Sequence, residues 1–113
     1  MEATALILRE IGASVPYAES QPLRLETITL ADPGPGEVLV RITAAGLCHS
    51  DLSVINGDRP RPLPMALGHE ATGVVEAVGD AVTGLSVGDH VISVFVPSCG
   101  KCPPCREGRP ALC

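Results

Sequence analysis

Glycine and proline interrupt this sequence so often that no stretch without either residue is longer than 11 residues. The chain has 12 glycines and 11 prolines among its 113 residues. Both residues are unfavourable inside a helix, so this spacing excludes long helices and favours short strands joined by turns. Their combined share stays below the roughly 25–30% that is typical of low-complexity chains. We therefore expect a single folded domain over residues 1–113, mainly β.

The composition supports a folded core built from aliphatic side chains. Hydrophobic residues make up 45% of the chain, which excludes an intrinsically disordered protein. Aromatic residues make up only 2%, so Val, Ile, Leu and Ala must fill the core. A chain of this length is expected to bury roughly two-thirds of the surface that its unfolded form exposes.

The charge balance argues against a nucleic-acid partner. The net charge is -5, and the densest basic cluster, Arg59 and Arg61, is interrupted by prolines. No apolar run approaches the ~20 residues of a membrane span, and the start of the chain does not have the pattern of a signal peptide. We therefore expect a cytoplasmic protein without a membrane partner.

Short apolar runs predict five strands and one helix. The strands are predicted at Thr4–Arg9, Leu23–Leu30, Glu37–Ala44, Thr72–Val78 and His90–Val96, and the helix at Ser50–Ile55. The alternation in Leu23–Leu30 slips phase, which predicts a β-bulge. The run His90–Val96 is apolar on both faces, which favours a central strand. The regular spacing of strands and turns favours a small antiparallel barrel over a parallel sheet.

The end of the chain carries four cysteines in the spacing C-x2-C-x2-C-x7-C: Cys99, Cys102, Cys105 and Cys113. Four thiolates satisfy tetrahedral zinc and leave no open position, which is typical of a structural site. The loop has little apolar surface to bury, so the metal would supply its folding energy. We predict a structural zinc lobe over residues 97–113.

Two other uses of these cysteines are a pair of disulfides and an iron–sulfur cluster. Disulfides are rare in the cytosol, where a C-x2-C pair more often binds metal. The first three cysteines share the spacing of bacterial ferredoxins, but in ferredoxins the fourth follows after three residues and here it follows after seven. The spacing therefore favours zinc over both alternatives.

A second candidate site consists of Cys48 and the pair His69 and Glu70. Cys48 precedes the predicted helix, and a helix N-terminus lowers a thiol pKa and favours the metal-binding thiolate. Taken alone, Cys48 is typical of a small buried residue and His69 of a satisfied polar group. Together with one further ligand they would form an open catalytic zinc site. His90 has no such partner in the sequence.

Three segments together resemble the N-terminal, GroES-like catalytic domain of zinc-dependent, medium-chain alcohol dehydrogenases. They are Gly46–Asp51, Gly68–Gly73 with Gly79 and Val82, and the loop Cys99–Cys113. The second segment fits the family pattern G-H-E-x2-G-x5-G-x2-V. The sequence around Val94–Gly100 resembles the liver-type and formaldehyde-dehydrogenase branches. The resemblance covers most of Gly36–Cys113 and implies a GroES-like small β-barrel with a short helix and a zinc lobe.

The resemblance also implies a role for each site residue. Cys48 and His69 would bind a catalytic zinc, with Glu70 behind the metal, and the four-cysteine loop would bind the structural zinc. Asp51 would hydrogen-bond the other nitrogen of His69 and fix its tautomer. Ser50 would take the proton of the alcohol, and His49 would lie near the coenzyme pyrophosphate.

The enzyme implied by the resemblance interconverts alcohols and aldehydes or ketones by hydride transfer to NAD or NADP, as a homodimer or homotetramer. Its third catalytic ligand, a further cysteine, and its nucleotide-binding domain would lie beyond Cys113, so we expect the 113 residues alone to be inactive. Many relatives have His or Tyr two positions beyond Asp51 to complete a proton relay, whereas this chain has Ser53.

The alternative function is a non-catalytic zinc-binding or co-chaperonin-like module. A co-chaperonin needs a mobile loop with an apolar anchor for its partner. The one long loop predicted here, Gly57–Pro64, carries arginines and prolines instead. This module would also leave Cys48, Asp51 and the pair His69 and Glu70 without a role.

Overall fold

The computed structural model describes residues 1–95 and 97–113. The strands are β1 (Glu2–Leu8), β2 (Leu23–Thr29), β3 (Val38–Gly46), β4 (Met65–Ala66), β5 (Glu70–Val78) and β6 (His90–Ile92). The helices are α1 (Tyr17–Ser20), α2 (His49–Ile55) and α3 (Pro103–Arg106), with a 3-10 turn at Pro110–Leu112. The longest helix of the described residues has 7 residues, as the spacing of glycine and proline predicts.

The strands of the described residues form two three-stranded sheets, in the orders β2-β1-β4 and β3-β5-β6. Every strand pair in them is antiparallel, which confirms the predicted strand direction and the mainly β class. The sheets face each other across a cavity of 330 Å³ that Leu6 and Leu25 line from one sheet and Ile42 and Ala71 from the other. Among the described residues, the hydrogen bonds between strands form two separate sheets and do not connect them into one closed barrel.

The bulge predicted in Leu23–Leu30 is wrong. β1 and β2 pair without interruption from Glu2↔Thr29 to Leu8↔Leu23. The register shifts lie in β3 instead, between Leu39 and Val40 and between Ile42 and Ala44. The slipped alternation therefore does not mark a bulge, and Leu25 is 72% exposed in this chain.

The central strand predicted at His90–Val96 is also wrong. β6 is an edge strand that ends at Ile92, and Val96 lies outside the described residues. Ile92 is 80% exposed, whereas Val91 on the opposite face is partly buried, so this chain leaves one apolar face of the strand uncovered. β5 is the central strand of that sheet. A Cβ at Gly73 of β5 would lie 2.4 Å from the backbone oxygen of Arg41 in β3, so this pairing requires glycine.

The core is smaller than the composition predicts. The buried hydrophobic residues among those described are Ile7, Leu8, Val54, Ile55 and Val75. The accessible surface is 8064 Å², whereas a compact monomer of this mass exposes about 5,800 Å². The chain therefore buries only about half of its unfolded surface, and the expected two-thirds is wrong. No helix in the described ranges is both long enough and apolar enough to cross a bilayer.

Candidate functional site

The first turn of α2 positions three candidate residues: Cys48, Ser50 and Asp51. Cys48 directly precedes the helix in extended conformation, and its N–H donates to the Asp51 carboxylate at 3.1 Å. This bond satisfies an N–H group that has no partner within the helix. The other end of α2 is anchored in the core, where Val54 and Ile55 cluster with Leu8. The predicted helix is therefore confirmed, and its start is fixed next to Cys48.

The pairing of β3 with β5 brings His69 and Glu70 to this helix start. Glu70 pairs with Gly46, the last residue of β3, and Cys48 follows two residues later. Gly68 has a φ of 104°, a left-handed conformation that favours glycine, and it turns the chain immediately before His69. As a result, one ligand atom each of Cys48, His69 and Glu70 lies within 4.8 Å of the other two.

Both ring nitrogens of His69 have hydrogen-bond partners. Nδ1 lies 3.1 Å from Oδ1 of Asp51, and Nε2 lies 3.3 Å from Oγ of Ser50. Asp51 is 4% exposed. An ionised carboxylate only accepts hydrogen bonds, so Nδ1 donates and, in the neutral ring, the Ser50 hydroxyl donates to Nε2. The predicted Asp51–His69 hydrogen bond is thus present, and it leaves the Nε2 lone pair directed towards Ser50.

The electrostatics of this cluster favour the thiolate form of Cys48 and make His69 more basic. Hydrogen bonds from the side chain and the backbone of Ser50, followed by the bond from His69, lower the pKa of Cys48 below its ordinary value of 9.0. The hydrogen bond with Cys48, and then the charge of Asp51, raise the pKa of His69 above 6.5. The Phe95 ring covers one side of His69, with ring centroids 5.1 Å apart. The cluster therefore favours the thiolate, the form of Cys48 that binds metals.

The donor set of Cys48, His69 and Glu70 fits a zinc ion. Thiolate sulfur, imidazole nitrogen and carboxylate oxygen are the three ligand types that zinc takes in proteins. The bond from Nδ1 to a buried carboxylate orients the ring of a zinc-binding histidine and makes it more basic. A catalytic zinc has three protein ligands and one open position, so Cys48 and His69 would leave room for one further protein ligand and the substrate.

The sulfurs of Cys99, Cys102, Cys105 and Cys113 all lie within 4.8 Å of one another. In a tetrahedral site with Zn–S bonds of about 2.3 Å the sulfurs are about 3.8 Å apart, so this set fits one zinc ion. The N–H groups of Lys101 and Cys102 each donate to the Cys99 sulfur at 3.4 Å and lower its pKa to about 6. All five cysteines are free in this structure.

Other residues singled out by the sequence lie apart from this cluster or are engaged elsewhere. His49 is exposed in the first turn of α2. The Ser53 hydroxyl donates to the backbone oxygen of His49 at 3.2 Å, inside the helix. His90 begins the edge strand β6, opposite Val74. Of these three, none contributes a donor atom to either set of metal-ligand candidates found among the described residues.

Three residues beside His69 have no predicted role in the sequence. A cavity of 160 Å³ is lined by Ser50 and His69 together with Phe95, Arg59 and Arg61. The sequence predicts Phe95 as part of a strand and the two arginines as part of a loop, and it gives none of the three a role at a metal site. The signal in the sequence is that the Arg59–Pro64 loop ends only a few residues before Gly68 and His69. This short separation keeps the loop close to the site.

Comparisons with known proteins show the family of this chain. The alcohol dehydrogenase GroES-like domain matches residues 34–113. The chain is 46% identical over 102 residues to the S-(hydroxymethyl)glutathione dehydrogenase of Synechocystis, which covers 89% of this chain and 28% of that protein.

Two solved structures extend the match to the whole chain. Benzyl alcohol dehydrogenase of Acinetobacter calcoaceticus is 40% identical with a TM-score of 0.83, and the match covers 100% of this chain and 29% of that one. A cobalt- and zinc-bound thermostable alcohol dehydrogenase of Pyrobaculum aerophilum is 35% identical with a TM-score of 0.82, with 100% and 32% covered.

This chain belongs to the alcohol dehydrogenase GroES-like domain family. The family match confirms the resemblance and the GroES-like fold that the sequence analysis gives. The chain spans less than a third of the length of the relatives compared above.

Proposed function

We propose that this chain is the zinc-binding catalytic domain of an alcohol dehydrogenase that interconverts alcohols and aldehydes or ketones by hydride transfer to NAD or NADP. The observation that carries the proposal is the convergence of Cys48, His69 and Glu70 within 4.8 Å, beside a cavity that Ser50 also lines. A non-catalytic zinc module would need only the four-cysteine lobe, and it gives no role to this second donor set.

Cys48 and His69 would hold the catalytic zinc, with Glu70 behind the metal and a further cysteine as the third protein ligand. Zinc bound there would supply Lewis acidity and lower the pKa of the substrate hydroxyl. Asp51 keeps the proton of His69 on Nδ1 through the 3.1 Å hydrogen bond, so Nε2 remains free to bind metal. The four cysteines at residues 97–113 would hold a structural zinc, within a single domain over residues 1–113.

Ser50 is the side chain placed to accept the proton of the substrate. Its hydroxyl lines the cavity and lies 3.3 Å from Nε2 of His69, within reach of a substrate oxygen held at the same donors. The next group of the relay is His49 or water, because the Ser53 hydroxyl is occupied within the helix. We also assign His49 to the coenzyme phosphates, since it is an exposed histidine at the start of α2.

We also propose a compartment and an oligomeric state for the whole protein. The five cysteines are free, which agrees with a reducing, cytoplasmic compartment. The whole protein would act as a homodimer or homotetramer. The 113 residues alone would not oxidise alcohols, because no G-x-G-x-x-G pattern occurs in them to bind the coenzyme.

The test is zinc stoichiometry and activity of the whole protein. We expect two zinc ions per chain and NAD(P)-dependent alcohol oxidation. The His69→Ala variant should retain one zinc and lose activity, while His90→Ala, an exposed histidine away from both donor sets, should keep two zincs and full activity. One zinc per chain in the wild type, with no change in His69→Ala, would refute the catalytic centre.

A further inference from the structure

The cavity beside the catalytic centre has an unusual charge distribution for an acidic protein. The chain has eight basic residues against thirteen acidic ones. Two of the eight, Arg59 and Arg61, line the 160 Å³ cavity that also contains Ser50 and His69. Its other lining residues are mostly apolar: Val54, Met65, Leu67 and Phe95. Two positively charged side chains therefore line a small, largely apolar cavity next to the candidate reaction centre.

Both arginine side chains are available to a ligand. Within residues 1–95 and 97–113, neither guanidinium forms an ion pair or donates a hydrogen bond, whereas Arg9, Arg41 and Arg109 each pair with a glutamate. Both side chains are exposed at the cavity. An unpaired guanidinium is a planar donor that matches a carboxylate in two-bond geometry.

The carboxylates nearest to these arginines along the chain accept hydrogen bonds from other groups. Asp51, the one acidic residue that lines the cavity, accepts hydrogen bonds on both oxygens, from His69 and from the Cys48 backbone. Asp58 accepts a hydrogen bond from the Asn56 side chain at 2.8 Å. The positive charge of the pair is therefore not cancelled by a direct contact within the described part of the chain.

The loop holds the two arginines in place. The Arg59 N–H donates to the backbone oxygen of Ser53 at 2.8 Å, which ties the loop to α2. Pro60 and Pro62 flank Arg61 and restrict its backbone. A restricted loop lowers the entropy lost when a ligand binds, so the pair can contribute to substrate selection.

We propose that Arg59 and Arg61 bind a carboxylate carried by the substrate, so the enzyme prefers alcohols or aldehydes with an anionic group at the end opposite the reacting carbon. This inference rests on the proposed function and narrows its substrate class. The apolar lining between the arginines and His69 would contact the carbon chain that joins the two ends.

The experiment measures kcat and KM of the whole protein for a short series of ω-hydroxycarboxylates and for n-alkanols of matching chain length. We expect kcat/KM to be about tenfold or more higher for the best hydroxycarboxylate than for its alkanol, through a lower KM. Arg59→Gln should remove about tenfold of that preference and the double variant with Arg61→Gln nearly all of it. Arg59→Lys should retain part.

Arg24→Gln is the matched control, because it removes the same charge from an arginine that lines a separate cavity and forms no ion pair in the described residues. It should leave the preference unchanged. Three results would overturn the inference: a wild-type preference for neutral alcohols, equal loss on both substrate series in Arg59→Gln, or a loss confined to the KM of NAD(P), which would assign the arginines to coenzyme phosphates. Absence of all alcohol oxidation by the wild type would instead refute the proposed function.

Discussion

The four-cysteine lobe (residues 97–113) and the Cys48–His69 centre present metal ligands in different ways. The lobe takes all four sulfurs from 15 consecutive residues, Cys99–Cys113, with little packing around them. The centre takes its donors from the start of α2 and the start of β5, which meet only because β3 pairs with β5. The lobe therefore depends on sequence spacing and metal, whereas the centre depends on the fold.

The two sites also differ in the groups that stabilise each donor atom. In the lobe, backbone N–H groups of neighbouring residues stabilise the Cys99 thiolate. In the centre, a buried carboxylate orients His69, and a serine and a histidine stabilise the Cys48 thiolate. A defect in the sheet should thus affect the centre first, and a defect in the lobe should remain local.

The largest effect is expected from Gly73→Ala, which should separate the two sites. The new Cβ would lie 2.4 Å from the Arg41 backbone oxygen and 2.6 Å from the Val40 side chain, so β3 and β5 must move apart. We expect a loss of stability of about 3 kcal/mol or more and loss of the centre's zinc, with the lobe's zinc retained. Thermal unfolding and zinc analysis check both.

Gly34→Ala is the control for this variant, because its nearest neighbour is the flexible Glu37 carboxylate at 3.4 Å. The reciprocal variant, Cys102→Ser with Cys105→Ser, should lose only the lobe's zinc. If Gly73→Ala releases both zincs together, or neither, the fold dependence of the centre is wrong.

A smaller effect is expected from Asp51→Asn. The amide keeps the size of the side chain but removes the charge that orients His69 and stabilises its proton on Nδ1. Loss of such a partner typically weakens metal affinity about 10–100-fold. Competition with a chelator should show this loss at the centre and none at the lobe. Equal affinity in wild type and variant would remove Asp51 from the metal site.

The smallest effect concerns protons released when the lobe takes up zinc. Cys99, with a pKa of about 6, is already mostly thiolate at neutral pH, whereas the neighbouring Cys102 raises the pKa of Cys105. Calorimetry in buffers of different ionisation enthalpy should therefore count fewer than four protons per zinc near pH 7. Release of four protons would contradict the lowered pKa of Cys99.

The sequence was sufficient for features that depend on neighbouring residues. The spacing of the four cysteines predicted the lobe's donor set, and the apolar face of Ser50–Ile55 predicted α2 to within one residue. Alternating apolar residues predicted β3, and in the structure Val38 and Val40 of this strand pair with residues of β5. The residues indicated Cys48 and His69 as candidate ligands, and the family resemblance implied that both bind one zinc.

The features that the sequence could not give depend on which surfaces are covered. β4 has only two residues, too few for a periodic signal. Apolar residues in Leu23–Leu30 and His90–Val96 were assigned to buried faces, yet Leu25 and Ile92 are mostly exposed. The arginines beside His69 form no pattern at all, because their position depends on how the Arg59–Pro64 loop returns to the site.

The excess surface of this chain has a thermodynamic consequence. With 8064 Å² already in contact with water, unfolding exposes about a fifth less new surface than for a compact monomer of the same mass. The denaturant m-value and the heat capacity change both scale with that newly exposed area. The 113 residues on their own should therefore unfold over a broad range of urea concentrations, with a stability curve flatter than that of most domains of this length.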